Sequence, residues 1–195
     1  MTFLESGITT SALNPSRRCP YSSFVTAKLP VVGSLLVLLV AAPASAIWVP
    51  QNRAEFVKAV EDGKGATTID KLSSDQPLDK VYALLEEKVS SCLDVKVSRT
   101  ANVGYVEHSS TDYNPTVMRV GKDKAEFTLQ LQHNPRGVGH TPPPGGLYFM
   151  AADLRAIDEN HTEIVLYRSS IGAKKIVESL TKWFDGDPAP CPKLK

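Results

Sequence analysis

The sequence is poor in the residues that most site chemistry needs. Its 195 residues include only three cysteines, and these show no CxxC spacing, which excludes a zinc ribbon, a thioredoxin-type pair and a disulfide-dense scaffold. No GxSxG or HExxH segment follows residue 46, so the familiar serine-hydrolase and metalloprotease signatures are missing. Charge of one sign is also lacking. Lys and Arg number 22 against 21 Asp and Glu, and a phosphate-binding surface needs a concentrated basic face. Nucleic acid is therefore not an expected partner.

Long apolar runs are absent with one exception, residues 29–46, LPVVGSLLVLLVAAPASA. The run follows Lys28, carries no charge, and ends in Pro43 and then Ala44-Ser45-Ala46. Small residues at the first and third positions before a scissile bond suit signal peptidase, and Pro43 breaks the helix just ahead of them. The strongly apolar part is shorter than the ~20 residues a spanning helix needs. Residues 1–46 therefore read as a signal peptide cut after Ala46, with an uncleaved membrane anchor as the alternative. Ser16-Arg17-Arg18 also fits a twin-arginine signal, although Cys19-Pro20-Tyr21 replaces the apolar pair expected next. Cleavage removes Arg17, Arg18 and Lys28 against Glu5 alone, moving the formal net charge from +1 to −1. The expected location is periplasmic or extracellular. About 150 residues remain, enough for one domain with a single core.

The odd cysteine, Cys19, falls in the leader, and the exported part keeps Cys92 and Cys191. An even pair in an oxidising compartment reads as a structural disulfide, with two free thiols as the alternative.

Residues 47–66 form an apolar arm and a short helix, with Asn52 and Glu55 spaced as a capping box. Residues 67–195 read as one α+β domain. Residues 67–72 suit a strand, and Ser74 or Asp75 is placed to cap the next helix. In that helix Leu78, Val81, Leu85, Val89 and Cys92 step by three and four residues into one stripe. The period then changes to two. Leu93, Val95 and Val97 alternate with polar residues, 103–108 is a weaker strand, 111–115 is turn material and 116–120 is another strand. Ala125, Phe127, Leu129 and Leu131 point one way and their polar neighbours the other. Residues 133–146, HNPRGVGHTPPPGG, are a loop by composition, and 147–157 with 162–168 make a hairpin. Asn160-His161-Thr162 is a glycosylation sequon, relevant only in a host that glycosylates. Ser169 or Ser170 is placed to cap a last helix with the stripe Ala173, Ile176, Val177, Leu180, Trp183 and Phe184. Strands joined without intervening helices predict an antiparallel sheet with one dry face, covered by two amphipathic helices.

This order resembles the helix-grip group, in which a curved antiparallel sheet wraps a long C-terminal helix; START-like lipid carriers and the BamC lipoprotein belong to it. The Cys-bearing helix and the closing segment TKWFDGDPAPCP also resemble a family of uncharacterised exported bacterial proteins. That likeness brings no catalytic residues with it.

Two functions follow as expectations. The first is an envelope protein acting through contacts with another protein, using the 133–146 loop with His133, Arg136 and His140 as a partner or gating surface. The second is a carrier of an apolar molecule such as a lipid, in a cavity lined by Ile176, Leu180, Trp183 and Phe184. Glu107, Asp112 and Asp153 are the carboxylates placed for acid–base work of a hydrolase or isomerase. With no nucleophile motif the chain is expected not to be an enzyme. No metal and no cofactor is expected, since His133 and His140 match no ligand spacing.

Overall fold

The computed structural model describes residues 49–102, 104, 106–135 and 141–194. Residues 1–46, with the expected signal peptide, and Arg136 and His140 of the expected partner loop lie outside the described residues. By its contacts the chain divides into Met1–Ala42 and Pro43–Lys195, and the fold is that of the second unit. Its elements are α1 (Arg53–Glu61), β1 (Thr67–Ser74), α2 (Leu78–Cys92), β2 (Val95–Asn102), β3 (Val106–Arg119), β4 (Lys124–Asn134), β5 (Leu147–Ala156), β6 (Thr162–Ser169) and α3 (Lys174–Phe184). The six strands form one antiparallel sheet in the order β1-β6-β5-β4-β3-β2. The protein is α+β. Among the described residues no helix is long and apolar enough to cross a membrane.

The strand order explains why α2 is long. β1 and β2 follow each other in sequence but occupy opposite edges of the sheet. Six strands at ~4.8 Å spacing put those edges about 24 Å apart. A helix rising about 1.5 Å per residue crosses that distance in roughly 15 residues, and α2 has 15. Its stripe of Leu78, Val81, Leu85, Val89 and Cys92 is buried. It joins Phe127 and Leu129 of β4, Ile164 and Leu166 of β6, and Ile176, Leu180, Trp183 and Phe184 of α3 in one core. Burying one such side chain contributes about 1.5–3 kcal/mol. The tail returns across the end of α2, where Cys191 bonds Cys92 with 5.1 Å between their Cα atoms.

Four expectations need correction. The second sheet face is not wholly wet. Phe56 and Val60 of α1 pack there on Ala151 and Tyr167, with Tyr148 and Val165 beside them. Residues 111–115 are not a turn but the middle of β3. β2 begins at Val95 opposite Tyr113, so β3 beyond that point has a free edge where Pro115 leaves no ladder incomplete. The caps also differ. Ser74 donates to the Phe184 carbonyl at 2.5 Å and Asp75 stays in solvent, so α2 starts at Pro77 without a side-chain cap. Ile171 and a left-handed Gly172 separate Ser169 and Ser170 from α3, which starts after Ala173. The Asn52 cap is present, with its side chain accepting from Glu55 N at 2.9 Å. The Glu55 carboxylate takes the Gln51 N–H rather than that of Asn52.

Candidate functional site

Three consecutive strands, β4, β3 and β2, make the β2 side of the sheet. Register places Val95 opposite Tyr113 and Tyr113 opposite Leu131. The next row is Val97, Thr111 and His133, and the row after it pairs Arg99 with Ser109. Directly paired residues share a face, and Tyr113 and Leu131 belong to the core beneath α2 and α3. A pocket of about 300 Å³ lies over these outer rows, and no residue of either helix lines it. Val97, Arg99, Thr111, Tyr113, Leu131 and His133 line it, with Ser109, Ser110, Asn134 and Pro135 at its rim.

Its electrostatics are one-sided. Among the described lining residues there is no Asp or Glu, whereas Arg99 brings a full positive charge. Arg99 makes no salt bridge with any described residue. The nearby Asp112 is taken by Lys96 at 3.4 Å on the other face. Tyr113 is only 8% exposed, and its hydroxyl has no hydrogen-bond partner among the described residues. Burial pushes its phenol above the ordinary value, and the Arg99 charge pulls it part of the way back. The His133 ring is oriented through Nδ1, 3.0 Å from the Thr111 hydroxyl. When Thr111 donates to Nδ1, the proton sits on Nε2, the nitrogen left for a ligand.

The residues singled out in the sequence separate. His133 is the last but one residue of β4 rather than part of a loop, which is why it faces the pocket. Ile176, Leu180, Trp183 and Phe184 are all buried in the core, and none lines a described pocket. Trp183 uses its Nε1–H on the Ala189 carbonyl at 3.0 Å. The three carboxylates do not converge. Asp153 is held by Arg53 at 2.5 Å, Asp112 by Lys96, and Glu107 is exposed near the start of β3. Among the described residues no three His, Cys, Asp or Glu side chains group as metal ligands. Thr111 and Tyr113 are masked in the sequence by the turn-like composition of 111–115, and Arg99 by a β2 whose outer half is polar and exposed. The period-two series Ser109, Thr111, Tyr113 was the signal that a strand ran through 111–115.

No family model matches the chain, and no curated protein matches it. Among solved structures it is similar to CalU16 from Micromonospora echinospora, at 13% identity over 64% of this chain and 76% of that one, with a TM-score of 0.28. It is similar to DynU16, from the dynemicin biosynthetic locus, at 15% identity over 62% of this chain but only 44% of that one, TM-score 0.28. A third is the ZhuI aromatase/cyclase from Streptomyces sp. R1128, at 15% identity over 52% of this chain and 64% of that one, TM-score 0.22. At these TM-scores the likenesses carry nothing about the reaction or ligand of this chain. The expectation that the chain is not an enzyme does not stand: the lack of a GxSxG or HExxH motif excludes only those chemistries, and the similar structures include an aromatase/cyclase.

Proposed function

We propose that this protein binds a small organic molecule in the β2–β3–β4 pocket. The carrying observation is a recess of about 300 Å³ onto which the Tyr113 hydroxyl opens, accessible and without a hydrogen-bond partner among the described residues. A donor that no protein group uses can bond a ligand that enters the recess. Val97, Leu131 and the Tyr113 ring offer an apolar wall, and about 300 Å³ holds a compact molecule rather than a long acyl chain. This reading sets the ligand at the open edge of the sheet rather than against the α3 stripe, whose side chains are buried in the core. The Cys92–Cys191 bond supports a working place outside the reducing cytosol. Exposed apolar residues offer less support for a protein-docking role, since they are spread over β1 (Ile69), the two ends of β3 (Val106, Met118) and the connections that hold Val120, Ile157 and Ile171.

Native mass spectrometry of the full protein from its own host tests this reading. The expected result is an extra mass that leaves on denaturation and is missing from Thr111→Trp, whose indole fills the pocket. The same mass on both proteins would place the ligand elsewhere, and a bare mass on both would refute ligand carriage.

A further inference from the structure

Resting on that reading, we infer that the pocket selects a monocarboxylate with a compact apolar body. The sign of its charge is the first reason. Arg99 is the one ionised side chain among the described lining residues. The other carboxylate in range on that face, Glu107, stands opposite Ala101, a row farther out, and does not line the pocket. A cleft lined by one sign of charge concentrates ligands of the other sign.

Geometry supplies the second reason. A guanidinium presents parallel N–H donors that match the two oxygens of a carboxylate, and Arg99 has no salt-bridge partner among the described residues. Tyr113 adds an O–H donor, protonated at neutral pH as an ordinary phenol is. His133, with Nδ1 turned to Thr111, presents Nε2 as a third polar contact. One permanent cation matches a monoanion. A phosphate dianion would leave a negative charge against the apolar wall, and a neutral ligand would gain nothing from the Arg99 charge.

Three probes of one shape provide the test: benzoate, benzamide and benzyl alcohol, titrated into the full-length protein and read by amide and methyl NMR shifts at Val97, Tyr113 and Leu131. Charge-assisted hydrogen bonds are about twice as strong as neutral ones, so benzoate is expected to bind about tenfold more tightly than benzamide. Arg99→Gln, on an exposed strand position, should erase that ratio, and Tyr113→Phe should reduce it. Benzamide or benzyl alcohol binding as tightly as benzoate would leave the ligand-binding reading intact and overturn the carboxylate inference. An unchanged ratio in Arg99→Gln would overturn it as well. No shift with any probe would remove both.

Discussion

Cutting the Cys92–Cys191 bond by Cys191→Ser should remove a large share of the stability of this domain. The bond joins residues 99 apart. In the chain-entropy account, closing a loop of about 100 residues stabilises by up to about 4.7 kcal/mol, by restricting the unfolded chain. Single domains hold only about 5–15 kcal/mol in total. The folded side of the balance should change little. Ala189 stays buried, and its carbonyl still accepts the Trp183 Nε1–H at 3.0 Å, so the tail keeps an anchor of its own. The expected outcome is a native spectrum that is unaltered and an unfolding free energy lower by about 3–5 kcal/mol. The denaturant slope should also rise, because the uncrosslinked unfolded chain exposes more surface. Urea unfolding followed by tryptophan fluorescence measures both quantities, with Cys92→Ala as a companion. A loss below about 1 kcal/mol together with an unchanged slope would refute the loop-closure account.

Three further outcomes follow from named contacts. The Tyr113 phenol titrates above its ordinary value in the folded protein, so stability holds below the usual phenol range and falls as pH climbs through the folded titration. Arg99→Gln removes the opposing charge and should move that titration higher, read from phenolate absorbance with Tyr113→Phe as the blank. Gly146→Ala should destabilise by about 1–3 kcal/mol in thermal unfolding, by strained backbone alone. Its φ is +105°, and a Cβ there would stand 2.4 Å from the Leu131 carbonyl oxygen, so the Leu131 wall of the pocket should shift with it. Arg53→Met should loosen α1 specifically. Arg53 donates to the Ala152 carbonyl at 3.0 Å and to Asp153 at 2.5 Å, and its Nε lies 3.2 Å from Glu126 without hydrogen-bond alignment. Hydrogen exchange should speed up in Arg53–Glu61 and stay unchanged in α2; uniform acceleration would show that α1 is not a separately opening element.

Local periodicity carried much of the fold. The α2 stripe, the β4 alternation and the α3 stripe each place their apolar residues on the side that is buried, because one element and the water on its far side are enough to dictate that pattern. The parity of the cysteines likewise pointed to Cys92 and Cys191. Tertiary structure decided the rest. Pro115 argues against a strand until β2 is seen to end opposite Tyr113, which frees that edge. α1 is amphipathic in either case, and only its packing on Tyr167 and Ala151 shows that the sheet has two covered faces. The candidate site is the clearest instance. Val97, Thr111 and His133 share one row only through strand register, and register is a property of paired strands that no single segment contains.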